Sequence, residues 1–117
     1  MYLEKDGRKI IEDLECVDGI FKKIKGLMFR ELDEGEGLLM EFPYEARWSI
    51  WMLFVPQDLS LFFLDNEGKV VDKKLAEKMG LNPATWKIYK PEKKCKYVLE
   101  CNPERFKDLK TGEKLRW

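Results

Sequence analysis

Lys25-Gly26-Leu27-Met28-Phe29-Arg30 opens a stretch that continues through Gly37-Leu38-Leu39-Met40-Glu41-Phe42-Pro43 and Trp48-Ser49-Ile50-Trp51-Met52. It closes on Pro56-Gln57-Asp58-Leu59 and Phe62-Phe63-Leu64-Asp65. Short apolar runs here are bounded by Gly, Pro and acidic turns, the pattern of strands. Leu38 to Phe42 reads as a strand stopped by Pro43. Trp48 to Val55 reads as the next, apolar at both odd and even positions, so it is covered on both faces or lies at an interface. Leu59 to Asp65 repeats that pattern. Arg30 and Asp58 stand out in this company, because a charge among apolar side chains is costly unless it is paired.

Working outward, Leu3 to Ile11 reads as a hairpin turning on Asp6-Gly7, two residues that tolerate φ > 0. From Val17 to Phe29, Ile20, Phe21, Ile24, Leu27 and Met28 form one stripe of a 3.6-residue period, with Asp18 placed to cap its start. Asp65-Asn66-Glu67-Gly68 is a turn with Gly68 suited to a left-handed backbone. Residues 78 to 90 read mostly as loop. Tyr97 to Cys101 is a strand, Pro103 opens a short helical turn through Leu109, and Glu113 to Trp117 is a closing strand. The expected fold is mainly β: a compact antiparallel β-sandwich or partly closed barrel with one α-helix near residues 18–28. One helix cannot supply the crossovers of a parallel sheet, so the pairing is expected to be mainly antiparallel.

At 117 residues the chain is expected to be a single domain, 1–117, large enough to fold without a disulfide or metal. Charged residues reach 38%, while Gln57 is the single glutamine and the serines and threonines number two each. Lys and Glu enrichment with few amides is the composition of a thermophile protein. Net charge is zero, but residues 1–68 hold 8 Lys/Arg against 15 Asp/Glu and residues 69–117 hold 14 against 7. Such halves cover each other in the fold, or present an acidic and a basic face to a partner. No amino-terminal apolar segment resembles a signal peptide, and the longest apolar run is too short to span a bilayer. The expected location is cytoplasmic, with no membrane partner. Cys16, Cys95 and Cys101 are expected to be small buried hydrophobes.

The chain has no histidine, which excludes imidazole catalysis and the Ser-His-Asp and Cys-His arrangements. No phosphate-binding glycine loop, dinucleotide fingerprint or metal-ligand spacing is present, so no cofactor and no metal are expected. Three readings remain. In the first, the chain is a binding or interaction module with a cleft around Arg30, Trp51 and Asp58. There the planar Arg30 fork faces an anionic group and Asp58 orients it. The alternative within the same pair is a structural ion bridge. In the second, Asp58 and Glu100 do acid–base work on a small or anionic substrate. In the third, two copies pair through the Trp48–Val55 strand. Trp86 to Tyr97 interleaves aromatics with lysines, but a pI near 6.4 disfavours nucleic acid.

Lys25-Gly26-Leu27-Met28-Phe29-Arg30 with Glu36 to Pro43 resembles the opening signature of the domain of unknown function 192 family. Ser49-Ile50-Trp51-Met52, Pro56-Gln57-Asp58-Leu59, Phe63-Leu64-Asp65 and Tyr97 to Glu100 resemble its later segments. The resemblance runs from about residue 8 to the end and implies a small β-rich domain without a settled activity. It implies that Arg30, Trp51, Met52, Asp58 and Glu100 form any shared ligand-binding site. The chain departs from the family pattern at Leu53-Phe54-Val55, where the pattern carries Lys-Asn-Thr. That departure lengthens the apolar strand.

Overall fold

A computed structural model describes residues 1–20, 31–52 and 55–117. Its described strands are β1 (Leu3–Lys5), β2 (Arg8–Ile11), β3 (Asp13–Asp18), β4 (Glu36–Ala46), β5 (Ile50–Trp51), β6 (Leu59–Leu64), β7 (Val70–Ala76), β8 (Ile88–Tyr89) and β9 (Cys95–Cys101). Short 3-10 turns occupy Pro83–Thr85 and Pro103–Asp108. The chain is mainly β, as expected.

A five-stranded sheet of order β3-β4-β9-β6-β7 forms the centre, with β1-β2 and β5-β8 as separate two-stranded sheets. Alternation of side chains across the central sheet builds two cores. On one face Leu38, Met40 and Phe42 of β4 meet Leu59, Leu61 and Phe63 of β6 and Val98 of β9, covered by Ile50, Met52 and Tyr89. On the other, Leu39, Phe62, Leu64, Leu99 and Cys101 are covered by Leu3 and Ile11 of the first hairpin and by Leu109 and Leu115. Every residue of β6 is buried, which explains why its sequence is apolar at both parities.

Local turn chemistry is met as expected. Asp6 (φ 53°) and Gly7 (φ 78°) make the two-residue loop between β1 and β2. Asp65 Oδ1 accepts from the N–H groups of Glu67 and Lys69, and Gly68 follows at φ 84°. Asn102 Oδ1 accepts from the Glu104 N–H at the start of the turn that Pro103 opens. Asp18 Oδ1 accepts from the N–H of Ile20, and residues 19 and 20 are helical. The remainder of the helix expected near residues 18–28, residues 21–28, lies outside the described residues.

Pairing among the described residues is mainly antiparallel, as expected, with one parallel exception. The central sheet is mixed: β3 and β4 run parallel, Asp13 beside Glu36 through Asp18 beside Glu41. A single crossover, residues 19–35, is enough for one parallel pair. Among the described residues the sheets are not fully closed, in keeping with the expected sandwich or partly closed barrel, and three local expectations are corrected. Pro43 does not stop β4, which continues to Ala46, because Pro43 lies where pairing with β9 lapses, between Glu41↔Tyr97 and Ala46↔Cys95. A proline costs no ladder bond at such a bulge. The expected strand from Trp48 is only Ile50–Trp51 within the described residues, and residues 113–117 join by isolated bridges, Glu4↔Arg116 and Lys69↔Lys114.

Candidate functional site

Glu100 lies in β9 between two leucines: it pairs with Leu38 of β4 on one side and with Leu61 of β6 on the other. It is 6% exposed, one of two buried polar residues among those described, the other being Ser60. Glu100 is an engaged group, as a carboxylate in that setting must be. Met52 is fully buried in the cluster that includes Leu38 and Leu61. The structure therefore sets Met52 and Glu100 in the same layer.

Trp51 behaves differently. It is 58% exposed and pairs with Ile88, while its neighbour Ile50 is buried opposite Tyr89. Period-two alternation turns Ile50 inward and Trp51 outward. Asp58 is exposed at the entry to β6, and its Oδ1 accepts from the Lys78 N–H at 2.9 Å. It precedes Leu61, the partner of Glu100, by three residues, about 10 Å along the strand direction. Arg30 lies outside the described residues.

What joins these segments is the backbone of Leu32, two positions beyond Arg30. Its N–H donates to Gln57 Oε1, and its carbonyl accepts from Gln57 Nε2 at 3.3 Å and from Asn102 Nδ2 at 3.1 Å. Gln57 adjoins Asp58, and Asn102 stands two residues beyond Glu100. Asn102 is fixed in turn, because its own carbonyl accepts from Ser60 Oγ at 3.1 Å. Gln57 and Asn102 were not among the residues that sequence reasoning singled out. Their signal was there: a lone glutamine in an amide-poor chain, and an Asn-Pro step at a helical start.

A hollow of about 790 Å³ opens beside β3 and β4, lined by Cys16, Val17, Asp18, Glu41, Phe42 and Lys96 among others. Lys96 Nζ and Glu41 Oε2 pair across it at 3.0 Å. Partial burial, then the Glu41 charge, pushes the Cys16 thiol above its ordinary pKa, with the N-terminal ammonium pulling the other way. Cys16 is exposed, against expectation, because it sits on an edge strand; Cys95 and Cys101 are buried as expected, and all three are free. Burial raises the Cys95 thiol to about 11, the wrong direction for a nucleophile. No group of three or more Cys, Asp or Glu able to hold a metal occurs among the described residues.

The family model of the domain of unknown function 192, described as an uncharacterised ACR, matches residues 1–117. The chain belongs to that family. A UPF0127 protein of Pyrococcus abyssi is 34% identical over 108 residues, covering 89% of this chain and 85% of the relative. A UPF0127 protein of Thermococcus gammatolerans is 30% identical, covering 97% and 72%. These relatives come from thermophilic archaea, in keeping with the Lys- and Glu-rich composition. Two crystal structures share the fold with a TM-score of 0.80 at 21% identity. One is a protein of unknown function from Novosphingobium aromaticivorans (99% of this chain, 82% of that one), and the other is described as a putative transcription regulator from Sinorhizobium meliloti (98% and 89%). No helix among the described residues of this domain of unknown function 192 member is long and apolar enough to cross a membrane.

Proposed function

We propose that this chain is a small non-enzymatic binding and interaction module. Its ligand region is the neighbourhood of Arg30, Trp51, Met52, Asp58 and Glu100, and its ligand is a small molecule with an anionic group. The reading is carried by the Leu32 junction. Gln57 and Asn102 bind one stretch of backbone from two sides, so the segments bearing Arg30, Asp58 and Glu100 converge within two residues of it. Three side-chain amide bonds spent on one residue's backbone rigidify the surroundings, and rigid surroundings are what a binding site needs. Met52 and Glu100 lie in the buried layer on the inner side, and Asp58 is an accessible carboxylate at the rim. Arg30 would supply the planar cation that reads a carboxylate or phosphate.

Thermal melting against carboxylates, inorganic phosphate and nucleotides tests this. An anion that raises the melting midpoint of the wild type, but not of a folded Arg30→Ala variant, supports the reading. Absence of any shift across the panel overturns it. Unfolding of Arg30→Ala assigns Arg30 to a structural ion pair instead.

A further inference from the structure

We propose that the outer face of the β5–β8 sheet, with the adjoining loop 80–86, docks on the surface of an anionic lipid bilayer. Trp51 (58% exposed) and Ile88 (67% exposed) are directly opposed in the antiparallel β5–β8 pair, so both side chains leave the same face. Trp86 stands two residues before Ile88 and is itself exposed. Its Nε1 donates at 2.8 Å to the Gly80 carbonyl, which brings it beside Leu81 (99% exposed). Two indoles and two aliphatic side chains in one neighbourhood present on the order of several hundred Å² of apolar surface, the size at which a patch marks a contact. The proposal does not rest on the ligand reading above.

Leu81 is held outward by a loop closed on itself. Thr85 Oγ1 accepts from the Gly80 N–H at 2.8 Å and donates to the Asn82 carbonyl at 2.7 Å, and that carbonyl also accepts from the Thr85 N–H at 2.9 Å. Pro83 fixes one further backbone angle. A loop without these bonds could fold Leu81 down onto the protein. This one keeps it extended, so little ordering is left to be done on binding.

Charge selects the occupant. Lys78, Lys87, Lys90, Lys93 and Lys94 are all exposed in this stretch, against Glu77 and Glu92. Lys87 pairs with Glu77 at 3.1 Å, and the other four lysines outnumber the carboxylate that is left. Cations beside protruding apolar side chains match the two layers of an anionic bilayer, headgroup phosphates outside and the acyl boundary beneath. Indoles favour that boundary, and lysine stems lie along apolar surface while the ammonium stays among the phosphates. Single-stranded nucleic acid would engage the lysines and stack on the indoles, but it offers nothing to Leu81 or Ile88. A protein partner would need a pocket shaped to Leu81, whereas a bilayer takes any protrusion. The expected lack of a membrane partner rested on the absence of a spanning segment, and surface docking needs none.

Co-sedimentation with vesicles tests the proposal. The wild type should sediment with phosphatidylcholine vesicles containing about 30% phosphatidylglycerol, and at least about tenfold more weakly with pure phosphatidylcholine. Raising the salt from about 0.1 M to about 0.5 M should release it. Leu81→Asp, at a position without packing to lose, and Ile88→Asp should each weaken the binding about tenfold or more, with an unchanged far-ultraviolet spectrum. Lys93→Glu combined with Lys94→Glu should do the same. Failure of the wild type to sediment with the anionic vesicles overturns the proposal. So does equal binding to the neutral ones, and so does binding that both aspartate variants retain. Binding of an oligothymidylate without binding of vesicles gives the surface to nucleic acid instead. Should Ile88→Asp lose its fold, Leu81→Asp decides.

Discussion

Asn102 donates its side-chain amide to the carbonyl of Leu32 at 3.1 Å while its Oδ1 holds the Glu104 N–H at 3.0 Å. One amide thus starts the Pro103–Asp108 turn and ties down a segment seventy residues earlier in the chain. Asn102→Ala loses both bonds and is expected to cost about 2–3 kcal/mol. Asn102→Asp keeps the cap but sets a carboxylate against the Leu32 carbonyl, so it recovers little of that loss. Urea unfolding of the two variants separates the contributions; equal stability of Asn102→Ala and wild type would remove the junction from the account.

Two glycines at positive φ give a matched pair. Gly68 (φ 84°) has the Leu115 carbonyl oxygen 2.8 Å from where a Cβ would sit, whereas Gly112 (φ 97°) has nothing within 4 Å. Gly112→Ala carries only the conformational cost, about 1–2 kcal/mol. Gly68→Ala adds a clash with backbone that cannot rotate away, and is expected to lower stability clearly further. Similar losses in the two variants would show that the strands bridged to residues 113–117 yield easily.

Thiol reactivity reports burial directly. At pH 8 the folded chain should consume one equivalent of a thiol reagent, at Cys16, and three in guanidinium chloride. The Cys16 reaction should be slower than that of free cysteine, because the raised pKa leaves less thiolate. It should quicken as pH rises. Rapid labelling of Cys95 in the folded state would contradict its burial.

Glu113 offers a pH test. A hydrogen bond from Lys5, at 2.8 Å, and then the Lys110 N–H hold its carboxyl below the ordinary 4.5. A depressed folded-state pKa means the stabilisation is complete above 4.5 and is lost as pH falls through the lower folded value. Because the pair is partly exposed, Glu113→Gln should cost less than about 1 kcal/mol at pH 7. Wild type and variant should converge in acid; divergence there would reverse the sign.

Composition makes one bulk prediction. Lys and Glu enrichment with few thermolabile amides should place the melting midpoint above about 65 °C by circular dichroism.

The turns and the mainly β class were legible because each depends on residues within a few positions. Asp6-Gly7, Asp65 to Gly68 and Pro103 select backbone angles and local bonds through their own chemistry. β6 was legible too, since a run apolar at both parities, broken only by Ser60, must be covered on both faces. Pro43 misled because its effect depends on what lies opposite: it would end a strand in a continuous ladder, yet it is harmless in the gap between Glu41↔Tyr97 and Ala46↔Cys95. Gln57 and Asn102 went unnoticed for a related reason, as an amide shows no periodicity and its partner is 25 or 70 residues away.

Chain chemistry alone set the mainly β class, the tight turns, the lack of imidazole chemistry and the charge-free run at Trp48–Val55. Long-range pairing settled the rest: that β3 lies parallel to β4, that Glu100 is enclosed by Leu38 and Leu61, that Cys16 is open while Cys95 and Cys101 are shut in, and that Trp51 faces outward. The division has one physical cause. A dihedral preference belongs to a residue and its immediate neighbours, whereas burial belongs to whatever strand comes to lie beside it.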